Sequence, residues 1–320
     1  MHVKIFPYFE TDDKPSGKEG FLTLADNGCL PEIIAETFGW EAVRIEFTDD
    51  NEAVVTFGAC RIGRKIILLP HFSYGPYSDP ETVKAIFNEL RSQGYTCEWR
   101  LFQKASEFVF TDKVVTLLPL LPDSEDQFNQ LDSNVRRKIR KCTLNKIVVK
   151  QGKTELLHDF YDIYSRNMHR LGSPALPKRW FAALLSQYRN GEVALWCAYL
   201  DNKPAGAAFM LEYQGFYEAC WVSTLQENNR LYTSYGLYWE MIRYAAEHQG
   251  RHFSFGRSTA DSGVHRFKQQ WGGIDMPLFW NYSHPQKQNV RKLTLLPKLW
   301  KLLPYRVAKV TGPLVAGKFY

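Results

Sequence analysis

This sequence lacks the cysteine patterns and long apolar runs that mark several classes of protein. None of its six cysteines forms a C-x-x-C pair or has a histidine at ligand spacing, which argues against a zinc site and a disulfide framework. No apolar run approaches the roughly 20 residues that a membrane-spanning helix needs. Residues 1–7 also lack the apolar core of a signal peptide. The sequence therefore predicts a reduced, cytoplasmic protein without a metal or redox cofactor.

Acidic residues are missing from the end of the chain. None follows Asp275, whereas eight lysines and arginines do, which is more than the net charge of +6 for the whole chain. A second basic cluster lies within residues 136–153. These two local fields predict an anionic partner, such as a tRNA backbone or a diphosphate-linked sugar, with a solvated helix face as the alternative for the second cluster. The substrate-binding candidates in that cluster are Arg136, Arg137, Arg140 and Lys141.

Two stretches of the chain follow a similar plan of strands, then a helix, then a strand that ends in arginine. The first has predicted strands at 53–60, 65–70 and 95–100 and a helix at 80–93. The second has predicted strands at 193–200, 205–213, 216–222 and 251–257 and a helix at 235–249. We also expect helices over 126–141 and 154–170, from apolar side chains about one turn apart. The plan predicts an α/β (α+β) protein of two related units rather than one continuous sheet. Its expected parts are residues 1–125, 126–285 and a basic tail at 286–320.

Four motifs resemble FemAB-like proteins of the GNAT superfamily, and most of all the branch found with exosortase and exopolysaccharide loci. They lie at 134–141, 164–174, 255–258 and 267–272, in the family's order, within a resemblance that covers roughly residues 60–285. The resemblance implies two fused GNAT-like domains with mixed, largely antiparallel sheets flanked by helices. It also implies transfer of an aminoacyl group from aminoacyl-tRNA to a peptidoglycan precursor, as in the best-known members. For the exopolysaccharide branch it implies an acyl or aminoacyl transfer with open substrates.

The resemblance and the chemistry of acyl transfer together select the candidate site residues. Lys268 matches a lysine that the family places at its active site, with a solvated surface lysine as the alternative. Arg257 lies at the end of a predicted strand and suits a substrate phosphate because its planar fork matches phosphate oxygens, or else it pairs with a carboxylate across the sheet. Ser258, the next residue along the chain, is also predicted to be catalytic. The predicted substrate contacts within the motifs are Asn167 and Trp271. In the first unit, Tyr74 and Gly75 match a Tyr-Gly turn of the family and are predicted to line the acceptor cleft, with a plain turn as the alternative.

The segment before the predicted helix at 235–249 bears on the acyl donor. Ordinary GNAT enzymes bind coenzyme A phosphates with a Gly-rich turn at this place, but residues 227–236 hold one late glycine and several bulky side chains. This favours aminoacyl-tRNA, or an acyl donor held elsewhere, over acetyl-CoA. No Ser-His-Asp, Cys-His or paired-carboxylate arrangement can be assembled, which argues against a covalent intermediate. His252 and His265 are candidate bases only by their position near the motifs, and a structural role is the alternative.

The tail from Lys298 to Tyr320 mixes apolar and basic residues, which is typical of an interfacial amphipathic segment that Pro304 interrupts. It predicts peripheral contact with an anionic inner membrane, where a lipid-linked acceptor would lie, or else packing on the first unit. Three functions remain open at this point. They are a FemAB-like transferase acting on an envelope precursor, an N-acyltransferase of exopolysaccharide synthesis that depends on acyl-CoA or an acyl carrier, and a non-catalytic membrane-associated binding protein.

Overall fold

The computed structural model describes residues 2–8, 22–48, 54–68, 80–286 and 295–318. Twelve strands of the described chain form one mixed sheet. In chain order, β1 to β12 are His2–Pro7, Glu41–Thr48, Val54–Ile62, Lys65–Leu68, Thr96–Leu101, Phe108–Pro119, Val148–Gly152, Val193–Leu200, Lys203–Tyr213, Phe216–Thr224, His252–Thr259 and Ile274–Tyr282. The α-helices α1 to α10 are Leu30–Phe38, Pro80–Ser92, Ser124–Gln130, Ser133–Leu144, Leu157–Leu171, Lys178–Gln187, Thr233–Glu247, Gly263–Gln269, Leu295–Leu302 and Tyr305–Val315.

The sheet repeats one local arrangement twice. Its order is β1-β2-β3-β4-β5-β12-β6-β11-β10-β9-β8-β7, and neighbours are antiparallel except in the pairs β4–β5 and β10–β11. Along the chain, α2 lies between β4 and β5, and α7 lies between β10 and β11. A parallel connection requires such a crossover, because a short turn can join only antiparallel strands. The predicted repetition of strands, helix and strand is confirmed.

The expectation that the two units would not share a continuous sheet is wrong. Strand β12 lies between β5 and β6 and hydrogen-bonds to both, and β6 pairs in turn with β11. The late strand β12 thereby covers the edges that β5 and β6 would otherwise expose to each other. Exposed edges are liabilities that folds tend to cover, and a sequence pattern does not reveal which distant strand covers them.

The helix expected over 126–141 is two helices. The first, α3, ends at Gln130, and the second, α4, begins at Ser133. Asp132 is the N-cap of α4, and its side chain accepts a hydrogen bond from the Asn134 amide at 2.8 Å. A short acceptor at this position satisfies an amide that the helix leaves unpaired, and so starts α4. The apolar spacing continues through the break, which is why periodicity alone predicts one helix.

The tail contains α9 and α10, and Pro304 is the N-cap of α10. The predicted break at Pro304 is therefore confirmed. Both helices pack against α5, which belongs to the stretch 126–285, and Gly317 beyond α10 reaches Phe38 of α1. The alternative of packing on the first unit therefore holds only at Phe38, because both helices of the tail pack on α5 of the second stretch. Among the described residues, no helix is long and apolar enough to cross a membrane.

Candidate functional site

A cavity opens where the parallel strands β10 and β11 separate. They pair only over Phe216–Glu218 and His252–Ser254, and each strand is irregular beyond that point. The bulge in β11 passes through Gly256, whose φ of +66° is a left-handed backbone conformation that glycine adopts without strain. Bulges bend strands and interrupt pairing. The gap that results is a cavity of about 430 Å³.

The cavity has apolar walls and a small group of charged side chains. The walls come from α1, α5, α6, α7, α8 and the two separating strands. The apolar and aromatic residues that line it are Ile34, Phe38, Trp40, Tyr164, Met168, Leu176, Trp180, Trp221, Tyr238, Phe255 and Val264. Its charged side chains are Glu218, Arg257 and Lys268. A concave, largely apolar pocket with a few converging polar groups is the usual form of a small-molecule site.

Lys268 is buried rather than solvated. It lies on α8, which begins where Ser262 accepts a hydrogen bond from the His265 amide at 3.1 Å. Its side chain is 4% exposed, and its ammonium donates to the carbonyls of Gly256 at 2.9 Å and Arg257 at 3.2 Å. Burial lowers the pKa of Lys268 to about 7, Glu218 opposes that shift, and the charge of Arg257 adds to it. The alternative of a surface lysine is therefore wrong.

A lysine with such a pKa can exchange a proton at neutral pH. The neutral amine has two N–H groups and one lone pair, and the two N–H groups donate hydrogen bonds to the two carbonyls. The lone pair then remains to accept a proton from a group in the cavity that Lys268 lines. Proton transfer is most efficient when the pKa of the catalyst lies near the working pH. The arrangement around Lys268 thus suits general base catalysis.

Glu218 is a site residue that the sequence analysis missed. It is buried on β10, and its carboxylate accepts a hydrogen bond from the Ser254 hydroxyl at 3.0 Å. That hydroxyl also accepts from the Gly256 amide at 3.1 Å, so the pair is fixed at the last register position before the strands separate. The signal in the sequence is a single carboxylate within an otherwise uncharged strand, Phe216–Thr224.

Replacing Glu218 by glutamine is expected to lower the pKa of Lys268 further. The glutamate charge favours the ammonium form, so its loss leaves burial and Arg257 unopposed. The acidic limb of the pH–rate profile, which reports this pKa, should move to lower pH by about one unit. A pH titration of kcat/KM measures the shift. Ser254→Ala serves as the control, because it removes the hydrogen bond but keeps the charge, and an equal shift there would contradict the electrostatic explanation.

His265 holds α8 in place and does not face the cavity. Its Nδ1 accepts a hydrogen bond from the Asp261 amide at 3.0 Å, so Nε2 carries the proton and donates to Asp275 at 2.8 Å. Asp275 also accepts from Thr116 and Gln269, which joins α8 to β6 and β12. With both ring nitrogens occupied, the prediction of His265 as a base is corrected to the structural alternative.

His252 is also outside the cavity. It lies at the start of β11, where burial lowers its pKa and Arg251 adds to that effect. Cys220 does line the cavity, but burial raises the pKa of its thiol well above the ordinary value. A thiol of raised pKa is a poor nucleophile. The six cysteines, all within the described residues, form no disulfide, and no group of three or more His, Cys, Asp or Glu that could hold a metal occurs within the described ranges.

The other predicted site residues lie in several places. Ser258 is buried next to Arg257 on β11 but does not line the cavity, and its hydroxyl has no partner among the described residues. Trp271 is 1% exposed and stacks on Tyr235, with Tyr238 and Phe255 also beside it, so it supports the cavity wall from behind.

Asn167 borders a second cleft of about 300 Å³ next to the main cavity. Its side chain donates to the Ser223 hydroxyl at 3.1 Å, while the adjacent Met168 lines the main cavity. Tyr74 and Gly75 lie outside the described residues. The structure thus brings Lys268 and Arg257 together in one cavity, while Ser258, Trp271 and Asn167 lie beside it.

The predicted basic cluster forms the outer face of α4. Arg137, Arg140 and Lys141 are exposed and Arg136 is half-buried, and none of the four lines the main cavity. The neighbouring Lys138 donates to the Tyr235 hydroxyl at 2.8 Å and to Gln270 at 3.0 Å. Gln270 directly follows α8, so this contact connects the basic face to the helix that carries Lys268.

Comparison with known proteins agrees with this architecture. Residues 130–269 match the acetyltransferase (GNAT) domain family. This stretch includes α4, the separating strands β10 and β11, and α8 with Lys268. No curated protein matches the sequence.

Several solved structures resemble the whole fold. FemX has a TM-score of 0.59 and 12% identity, over 83% of this chain and 93% of FemX. The C-terminal domain of a putative lysylphosphatidylglycerol synthetase from Agrobacterium fabrum has a TM-score of 0.54 and 11% identity, over 84% and 91%. L-PGS from Bacillus licheniformis has a TM-score of 0.50 and 10% identity, over 85% and 96%. At such identities the likeness concerns the fold, and it confirms the predicted class of GNAT-like units in a mixed, largely antiparallel sheet flanked by helices.

Proposed function

We propose that this chain is a FemAB-like acyltransferase that moves an aminoacyl or acyl group onto an amine or hydroxyl of a cell-envelope peptidoglycan or exopolysaccharide precursor. One observation carries the proposal: a buried lysine with a pKa of about 7 lines a cavity between separating strands, together with Glu218 and Arg257. The proposal includes the exosortase-associated branch, the division at residues 125 and 285, and action at the inner face of the membrane.

The reaction that fits these groups is attack on an activated ester. The acceptor nitrogen forms a bond to the carbonyl carbon of the donor, and the ester C–O bond breaks. Lys268 in its neutral form takes the proton that the acceptor nitrogen loses, and then returns it to the departing hydroxyl oxygen. Burial raises the pKa of Tyr238 on the cavity wall, so its phenol stays protonated and can donate to the oxyanion that forms on the carbonyl.

In this proposal Arg257 binds an anionic group of the substrate. It is half-buried on the cavity wall, and a guanidinium there matches two phosphate or carboxylate oxygens. The exposed arginines and Lys141 on α4 would hold a more distant phosphate, either of a tRNA or of a diphosphate-linked precursor. Ser258, Asn167, Trp271, Tyr74 and Gly75 stay in the proposal as predicted contacts or supports of this site.

The segment between β10 and α7 supports aminoacyl-tRNA as the donor. Residues Gln226–Leu231 form a 3-10 helix. The Asn228 amide bonds to Leu225 O at 3.0 Å and the Tyr232 amide to Asn229 O at 3.1 Å. Coenzyme A in GNAT enzymes needs free amides at this place to cradle its phosphates. Amides already used within the segment make that cradle poorer. An acyl-CoA or acyl-carrier donor is the alternative.

A transfer assay with paired donors tests the proposal. The purified protein is given aminoacyl-tRNA or acyl-CoA, each with a nucleotide-linked muropeptide as acceptor, and acylated acceptor and released coenzyme A thiol are measured. We expect acylated acceptor with the tRNA donor and none with uncharged tRNA. Thiol release together with product from acyl-CoA would favour the alternative donor. No transfer from either, together with an unchanged cellular phenotype for Lys268→Gln, would overturn the proposal in favour of a non-catalytic binding protein.

A further inference from the structure

The helices of the tail have an inner face that is firmly held by α5. Tyr305 shares a hydrogen bond with Ser165 at 2.9 Å, and Lys309 donates to Asp162 at 3.2 Å. At the end of α9, His169 donates to the Leu303 carbonyl at 2.8 Å. Along α10, the buried positions one turn apart are small, namely Ala308, Gly312 and Ala316. These contacts fix the orientation of α10 and thereby decide which of its residues face away.

The opposite side of the tail exposes large apolar side chains. Val307, Val310 and Leu314 follow one another at helical spacing and are 44%, 69% and 77% exposed. Leu299 and Leu302 of α9 are exposed at 59% and 79%. Five of the twelve large exposed apolar side chains in the described parts of the chain thus fall within residues 299–314. Single exposed apolar residues are ordinary, but such a concentration marks a surface that binds something.

The charges on this side are of one sign. Lys298, Lys301 and Arg306 are exposed, and no acidic residue occurs after Asp275. The nearby carboxylate of Asp162 is already paired with Arg166 and Lys309 on the inner face. We define the outer tail face as these three basic residues with Leu299, Leu302, Val307, Val310 and Leu314. No described residue covers it.

We propose that the outer tail face docks on an anionic lipid bilayer. An apolar stripe between basic residues is the composition of a helix that lies in the membrane interface, where its apolar side enters the acyl boundary and its lysines meet anionic headgroups. A second copy of this chain would bring the same positive charges together, which opposes self-association. Charge complementarity therefore selects an anionic lipid surface as the occupant.

The position of the tail gives this docking a consequence for the cavity. The 3-10 turn after α10 contains Gly317, which lines the cavity and lies against Phe38 of its wall. A bilayer held by the outer tail face would therefore lie beside an element that reaches the cavity. Docking would then bring a lipid-linked acceptor close to Lys268, and this consequence rests on the proposed function. The docking itself does not require any transfer activity.

Vesicle co-sedimentation of the full chain tests the docking. We expect binding to vesicles of mixed phosphatidylglycerol and phosphatidylcholine, and at least about tenfold weaker binding to phosphatidylcholine alone. Val307→Ser/Val310→Ser/Leu314→Ser and Lys298→Glu/Lys301→Glu/Arg306→Glu should each weaken binding to the mixed vesicles by about tenfold or more. Matched controls are Leu144→Ser/Val148→Ser, exposed at 79% and 54%, and Lys104→Glu/Lys178→Glu/Lys203→Glu, all exposed.

Three results would overturn the inference. They are no binding to the mixed vesicles, equal losses in the controls and the tail variants, or a dimer in sedimentation that the apolar tail variant abolishes. Transfer to a water-soluble acceptor, measured in the same variants, separates this inference from the proposed function. A protein that docks but transfers nothing would support the docking inference and contradict the proposed transferase function. A protein that transfers but does not dock would contradict the docking inference and support the transferase function.

Discussion

Lys268→Gln is expected to lower kcat/KM about 10³-fold, within the range that general acid–base catalysts contribute. Glutamine keeps a donor for the Gly256 and Arg257 carbonyls but has no lone pair of comparable basicity. The activity that remains should lose the dependence on pH around 7 that the lysine gives, since the neutral amine is the active form and predominates above that pKa. Steady-state rates between pH 5 and pH 9 measure both effects. Lys203→Gln, at an exposed position on β9, is the control.

The pH dependence of the free energy of unfolding gives a second measure of the pKa of Lys268. The pKa of Lys268 is about 7 in the folded chain, whereas an exposed lysine, as in the unfolded chain, has a pKa of 10.5. Between these two pH values the unfolded chain therefore binds more protons than the folded chain. The free energy of unfolding contributed by this group therefore rises with pH through that window and is constant below it. Relative to Lys268→Met, the wild type should gain on the order of 4 kcal/mol between pH 7 and pH 10. A difference that stays constant over this range would contradict the lowered pKa.

The sequence predicts much of the local structure because the helices and strands depend on periodicity and on glycine and proline. Strands β8 and β10 begin at the predicted residues, Val193 and Phe216. The insertion of β12 between β5 and β6 was not predictable, because pairing over such a sequence separation leaves no local pattern. The break at Asp132 was missed because its cap falls within a continuous apolar repeat.

The candidate site was predictable only where a motif carries it. Lys268 and Arg257 were found from the resemblance, and the structure places both at one cavity. Glu218 was missed because a single glutamate in a strand does not indicate which face of the sheet it occupies or which lysine it influences. That information depends on the bulges at Ala219 and Gly256, which set where the strands separate. Trp271 was selected because it lies in a motif, but its side chain is buried behind the cavity wall and does not line the cavity.

Phe209→Ala is expected to lower the free energy of unfolding by about 3–5 kcal/mol, the usual loss for a phenylalanine removed from a core. Phe209 is fully buried on β9 between Phe160 and Phe181, with ring centroids 5.4 and 5.5 Å away. It also meets Trp221, a cavity-lining residue, edge to face at 5.5 Å. Removing Phe209 therefore leaves a void directly behind the cavity wall.

The consequence for activity distinguishes this void from a simple loss of stability. Trp221 would lose one of the rings that hold it, while Lys268 and its carbonyl partners lie on other elements and keep their geometry. We therefore expect KM to rise more than kcat falls, in steady-state assays well below the melting temperature. Phe47→Ala is the matched control, because Phe47 is also buried, at 3% exposure, but belongs to the separate core under α2. It should cost a similar free energy, measured by urea unfolding, and leave KM unchanged. If both variants changed KM alike, the wall would not depend on Phe209, and the rings behind Trp221 would serve stability alone.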